Sequence, residues 1–345
     1  MSAFSLAEWD LLLRQAASAN LTAALYYLAA EHEQLGAMPA RAREHLEWAH
    51  VQGERHRQGV RFEVRQIRRA LADLDVPLIL LKGAAYTMAG LPPAPGRLFS
   101  DIDILVPKER LAEVEAALML HGWAASHHDE YDQRYYREWM HELPPMQHVM
   151  RQSLIDVHHA ILPETARVRP EPASLRAGAR AVDGDDGLRV FAPADMVLHS
   201  AVHLFYDGEF DHGLRDLIDI DRLLRRFGGE AGFWESLASR ADELQLGRPL
   251  FYALRYSSSI LGTEIPAAVL AAAGRARPNR ALLALMDRLF GRALLPPHAS
   301  CADGFSKPAR FLLYIRGNWL RMPPLMLARH LFHKAFISPR GDKAA

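Results

Sequence analysis

The chain has 345 residues, 50% of them hydrophobic and 24% charged, with a formal net charge of zero. That is an ordinary folding composition, large enough for two domains or one large one, and it provides no global attraction to nucleic acid. One cysteine, Cys301, excludes an internal disulfide and a cysteine-based zinc cluster; with no basic-then-apolar leader and no run of membrane-spanning length in view, the cytoplasm is the default compartment.

Residues 5–74 have helical periodicity. Ser5 and Glu8 form a capping-box pattern ahead of Leu11, Leu12, Leu13 and Ala16. A second helix starts near Asn20, with Leu21, Ala24, Leu25 and Leu28 at helical spacing. After Gly36 and Pro39, a long polar helix is expected from about Ala40 to Leu74, with Val51, Val60, Phe62, Val64, Ile67 and Leu71 as a sparse apolar stripe. Its charge reads as a solvated face or as a lid that offers a basic side chain to a ligand.

Pro77 disfavours helix at Val76 and marks a change of pattern. Leu78 to Leu81 is a short apolar run that reads as a buried strand, broken at Lys82-Gly83 and followed by a helix over 84–89. Strand, glycine and helix place free backbone N–H groups and a positive dipole end near Gly83, which suits a phosphate. The Gly- and Pro-rich loop 90–96 hands Arg97 to the next strand. Arg97 can bind a phosphate bidentately or brace a nearby carboxylate.

Ser100-Asp101-Ile102-Asp103-Ile104 alternates carboxylate and aliphatic. On a strand this puts Asp101 and Asp103 on one face, roughly 7 Å apart. Both could reach a pair of divalent cations, which in two-metal sites lie about 4 Å apart. The other reading is an exposed edge strand with two solvated carboxylates. A helix is expected over 107–120, then strands at Trp123–Ala125 and Gln133–Tyr136. The polar and aromatic stretch 126–146 reads as an acceptor-recognition insertion or a surface loop. Segments 146–151 and 154–159 read as a hairpin about Gln152-Ser153. Asp156 and His158 alternate with Ile155 and Val157. If this strand neighbours the Asp101 strand, Asp156 becomes a third carboxylate, suited to metal binding or to taking an acceptor's proton. His158 is then either a ligand-facing group or a hydrogen-bonded structural histidine.

Asp183–Gly187 is a turn, without the downstream glutamate of a calcium loop, and Leu188–Phe191 a last short strand. From Pro193 the pattern is helical. His199 and His203 share one helix face, where packing is favoured over zinc for want of a third ligand. A helix over 212–224 carries Arg215 and Asp219, and 231–292 reads as three or four helices broken at Gly247, Gly262 and Pro278. Lys307–Ala345 has eight Lys or Arg against one acid. That basic amphipathic end reads as a helix packed on its own domain, or as a membrane-surface or protein contact.

Lys82-Gly83, Arg97, the Asp101–Asp103 strand and Ile155-Asp156-Val157-His158 together resemble the nucleotidyltransferases of the DNA polymerase β-like superfamily. More narrowly they resemble a bacterial family of uncharacterised nucleotidyltransferases, over roughly residues 70–225. One departure is Ala84, where the superfamily usually has Ser or Gly. The resemblance implies an α+β fold: a small mixed sheet over 77–192 between helical regions at 1–76 and 193–345. It implies an NTP substrate, two Mg²⁺ ions with Mn²⁺ as a substitute, and an unidentified acceptor such as a small molecule, glycan or peptide, with no specific nucleic acid. Asp101, Asp103 and Asp156 would be catalytic metal ligands. Lys82, Gly83, Ala84, Arg97, Ser100 and His158 would bind the nucleotide, and His203, Arg215 and Asp219 would line the back of the site. A chain that has lost turnover but keeps nucleotide binding, or an accessory protein of a biosynthetic cluster, is the alternative. The reading requires Asp156 to face the other two carboxylates, and open room beside Gly83.

Overall fold

The computed structural model of the chain describes residues 4–125, 136–137, 140–324 and 327–328. It is α+β, with a seven-stranded mixed sheet and helices on both sides of it in the chain. Three helices lead in: α1 (Leu6–Ser18), α2 (Thr22–Glu31) and α3 (Ala40–Ala70). The capping box forms as expected, Ser5 and Glu8 each satisfying the other's backbone N–H. In α3, Val60, Val64 and Ile67 are buried, whereas Val51 and Phe62 are exposed. Val51 and Phe62 therefore fall off the buried stripe, and the first half of α3 is buried instead through Ala42 and Leu46, in a cluster with Trp9 of α1 and Ala29 of α2. Glu63 pairs with Arg151 at 2.7 Å and Arg68 with Asp185 at 2.6 Å. Those contacts tie α3 down by its polar face, and none of its residues lines the cavity described below.

The strands are β1 (Leu78–Leu80), β2 (Asp101–Leu105), β3 (Trp123–Ala125), β4 (Met146–His148), β5 (Leu154–His158), β6 (Arg180–Val182) and β7 (Asp185–Val190). Their spatial order is β3-β4-β5-β2-β1-β7-β6, which puts β2 at the centre. β2 runs antiparallel to β1 and parallel to β5. Ile102, Ile104, Ile155 and Val157 are buried, so the aliphatic half of each alternation anchors its strand and turns the carboxylates to the other face. The β4–β5 hairpin turns at Gln152, which has φ of 59°. β6 is an addition to the expected strands: it folds back on β7 through Gly184, whose φ of 78° closes the tight turn. The strand expected at Gln133–Tyr136 falls largely outside the described residues.

Helix α4 (Lys82–Met88) follows β1 directly, two residues earlier than expected, and α5 (Leu111–Leu120) covers the approach to β3. After the short α6 (Pro172–Ala177), the helical part comprises α7 (Pro193–Tyr206), α8 (Gly213–Phe227), α9 (Phe233–Glu243), α10 (Gly247–Leu261), α11 (Ala267–Gly274), α12 (Arg280–Ala293) and α13 (Ser306–Arg321). α7 is buried on nearly all sides and packs on α8, α9, α10 and α13. Its Ser200 hydroxyl meets the Tyr86 hydroxyl of α4 at 2.7 Å, joining the helical part to the sheet. α13 packs on α12 and α7. The first half of the basic C-terminal stretch is thus a docked helix, and most of the rest lies outside the described residues. Among the described residues, no helix is long and apolar enough to cross a membrane.

Candidate active site

The site grows from one register. In the parallel pair β2–β5, Asp103 stands opposite Asp156. Period-two alternation then puts Asp101 on the same face as Asp103. One carboxylate oxygen from each of Asp101, Asp103 and Asp156 lies within 4.8 Å of the other two. The three expected acids are therefore brought together.

Each has a different environment. Asp103 is buried, and its Oδ1 accepts from Lys82 Nζ at 3.1 Å and from His158 Nε2 at 2.9 Å. Burial would raise its pKa, but the Lys82 charge and the His158 hydrogen bond overcome this and hold it far below the usual carboxylate range. Asp156 is the opposite case. Its Oδ1 is buried and has no hydrogen-bond partner among the described residues. Burial, then the Asp103 and Glu142 carboxylates, push its pKa up to about 8, against a smaller pull from His158. Asp101 is half-buried, with the Ser100 hydroxyl at 3.4 Å. A buried acceptor left without a donor beside two other carboxylates is costly in a protein interior, and a cation would relieve it. The donor set is all oxygen, which suits Mg²⁺ or Mn²⁺.

Lys82 has φ of 45°, an uncommon left-handed backbone for a side chain of this kind. That kink ends β1, starts α4 and sends the ammonium group to Asp103. For Lys82, burial would lower the pKa; Asp103, then Asp207 and Asp101, reverse this and raise it. His158 is gripped on both sides, Nε2 by Asp103 and Nδ1 by Glu142 Oε2 at 3.1 Å. Burial lowers its pKa but Glu142 and Asp103 more than compensate, and the net shift is upward.

A cavity of about 340 Å³ opens here. Lys82, Asp103, Asp156, His158 and His203 line it, joined by His141, Glu142, His199, Asp207, Glu209 and, from α13, Tyr314, Asn318 and Arg321. The sequence reading missed His141 and Glu142. Glu142 is delivered by a backbone bridge to His158, and Leu143 N–H donates to Val157 O at 2.9 Å. Segment 142–143 thus lies along the free end of β5. The polar composition of 126–146 signalled a recognition segment, but not which of its side chains turn inward. Arg321 was also missed; it pairs with Asp207 at 3.3 Å from the far end of the chain. Five carboxylates, Asp103, Glu142, Asp156, Asp207 and Glu209, face two permanent cations, Lys82 and Arg321, in this cavity.

The remaining expected residues lie elsewhere. The room expected beside Gly83 is filled: a Cβ there would stand 2.3 Å from Arg97 Nη1 and 2.7 Å from the Phe99 ring. Gly83 permits a close crossing of chain segments, so of the two conditions of the transferase reading the facing of Asp156 is met and the room beside Gly83 is not; the open volume begins at Lys82 instead. Ala84 is buried in the core. Arg97 turns away from β2. Its Nε donates to Asp219 at 2.6 Å, its Nη2 lies 3.8 Å from Asp216, and its guanidinium sits over Tyr86 and Phe99. Arg215 donates to Asp216 and to the Leu98 carbonyl. Arg97, Arg215, Asp216 and Asp219 thus form a buried ionic layer behind α4, and His203, which lines the cavity, lies 3.9 Å from Asp216. His199 packs edge-on against Phe191, and among the described residues the groups able to hold a metal do not include the His199–His203 pair.

A family model described as an uncharacterised nucleotidyltransferase matches residues 5–262. Comparison with curated proteins and with solved structures gave no match. The matched stretch takes in the whole β2–β5 site and ends before α13, and at that length it identifies the chain as a member of the uncharacterised nucleotidyltransferase family.

Proposed function

We propose that this chain transfers a nucleoside monophosphate from an NTP to an acceptor hydroxyl or phosphate, releasing pyrophosphate, by the route used in the polymerase β-like superfamily. The observation that carries this reading is the β2–β5 register, which collects Asp101, Asp103 and Asp156 around a buried and unpartnered carboxylate oxygen. These three would hold divalent cations, two Mg²⁺ with Mn²⁺ as a substitute, which when bound neutralise triphosphate charge and acidify a coordinated hydroxyl. Asp156 would favour loss of the acceptor's proton. Lys82 adds a fixed positive charge next to Asp103, and His158 fixes the Asp103 carboxylate from the other side. In the transfer, the acceptor oxygen bonds to the α-phosphorus as the α–β bridge breaks and pyrophosphate takes the electron pair. Positioning and charge carry most of such a reaction.

A second reading has its own support. The filled space at Gly83 removes the phosphate cradle expected there, and Lys82 already neutralises Asp103. Both fit a protein that binds nucleotide without turnover. Incubation with each labelled NTP, Mg²⁺ and a panel of acceptors separates the two. Pyrophosphate release that disappears in Asp101→Ala supports the transferase. Nucleotide binding with no release under any acceptor supports the binding protein.

A further inference from the structure

The geometry points to a second cation site in the same cavity, made of His141, Glu142 and His158, that takes a nitrogen-preferring transition metal of the Zn²⁺ type. It borders the acid triad of the proposed transfer reaction and shares Asp103 with it, but uses a different set of ligands. A ring nitrogen of each histidine and a carboxylate oxygen of Glu142 lie within 4.8 Å of one another. Three further observations single this group out.

The first is an unexplained group. His141 lines the cavity, yet among the described residues its buried Nδ1 has no hydrogen-bond partner. A buried imidazole nitrogen of this kind needs a donor or a metal. The second is the arrangement around His158. A metal-binding histidine characteristically donates its other N–H to a carboxylate, which fixes the tautomer and raises the basicity of the free nitrogen. His158 has that partner: Nε2 lies 2.9 Å from Asp103 Oδ1, while Nδ1 points at Glu142. The third is ligand chemistry. Two imidazoles and one carboxylate favour Zn²⁺ and its neighbours, whereas the oxygen-only Asp triad favours Mg²⁺ or Mn²⁺. Three protein ligands leave coordination positions free, and these open onto the cavity, where a water or an acceptor oxygen can bind. Asp103 then serves both sites, as a ligand in one and as the orienting partner of His158 in the other.

The test uses the full chain, stripped with a chelator and dialysed against Zn²⁺, with bound metal measured by mass spectrometry and Co²⁺ substitution read by absorption spectroscopy. The wild type should retain stoichiometric Zn²⁺. His141→Ala and Glu142→Gln should each weaken Zn²⁺ binding by at least roughly 10–100-fold, the loss typical of even supporting residues at metal sites. Circular dichroism of each variant reports folding; if His141→Ala fails to fold, His141→Asn takes its place. Asp101→Asn should keep the Zn²⁺ site while losing Mn²⁺ affinity, so failure here is distinct from failure of the Asp triad. Absence of stoichiometric Zn²⁺ in the wild type, or Zn²⁺ retained in His141→Ala but lost in Asp101→Asn, overturns the proposal.

Discussion

Asp103 and Asp219 are buried carboxylates that each face one permanent cation at hydrogen-bond distance, and they differ in what else is near. Asp103 looks into a cavity, whereas Asp219 and Arg97 face only the core, with side chains 6% and 7% exposed. Removing one member of such a pair strands the other, at a typical cost of about 3–5 kcal/mol. Asp219→Asn is therefore expected to lose about that much stability in urea denaturation, and Arg97→Met combined with Asp219→Leu to recover most of it. Gly83→Ala should cost about 1–3 kcal/mol through overpacking against Arg97 and Phe99, with or without Mg²⁺ present. A glycine kept for phosphate contact would instead leave unfolding unchanged. At this scale the sequence was legible where a side chain's partner lay on the neighbouring strand. The alternation of Asp101 and Asp103 with aliphatics was enough to place those two on one face; Asp156 joins them on the condition that its strand neighbours theirs, which the β2–β5 register meets. The fate of Arg97 was not legible. Its partners lie beyond residue 210, and nothing local to Arg97 says whether it turns toward β2 or toward α8.

Elements decide how those side chains are held. β1, β2, β5 and the β4–β5 hairpin could be read from apolar runs and alternation, since each strand's burial pattern is written in its own residues. The end of β1 was harder. Helix α4 begins at Lys82, whose left-handed backbone no local pattern announces and whose ammonium group meets Asp103 at 3.1 Å. β6 was missed because Arg180 and Ala181 are exposed and carry no alternation. The cavity wall depends on another close crossing, where α13 passes the end of α7. A Cβ on Gly317 would stand 2.7 Å from the Asp207 carbonyl and 2.8 Å from the Gly208 backbone. Backbone cannot retreat as a side-chain tip can. Gly317→Ala should push α13 outward, cost about 1–3 kcal/mol and loosen the Arg321–Asp207 contact. Hydrogen exchange should show faster opening over 306–321; unchanged exchange there would contradict the crossing described.

Across the whole molecule, one buried core runs from Val60 in α3 to Leu313 in α13, with a small separate cluster about Trp9 and Leu46. The α+β class was legible from the order of strand and helix patterns. The participation of α13 in the cavity was not, because basic amphipathic helices look alike whether they face solvent, a partner or their own site. Stability should respond to the acid triad as a unit. In EDTA, Asp156 carries a pKa raised to about 8 by burial and its neighbours. A raised carboxyl pKa stabilises the fold below the unfolded value, and that contribution is lost as pH rises to the folded value. Thermal melts of the wild type in EDTA should therefore decline from the usual carboxylate range up to about pH 8, and Asp156→Asn should flatten that decline. With Mg²⁺ added, the wild type should melt higher, by about 2.7 kcal/mol of added stability at a hundredfold excess over Kd, and Asp156→Asn should not respond.

The most direct test is a Mn²⁺ titration of the chelator-treated full chain, followed by loss of the free-ion electron paramagnetic resonance signal. Three carboxylates meeting across the β2–β5 register predict saturable Mn²⁺ binding, competed by Mg²⁺ and lost in both Asp101→Asn and Asp156→Asn. Binding that survives either substitution unchanged, or no saturable binding in the wild type, would contradict the cation site on which the transfer reaction rests.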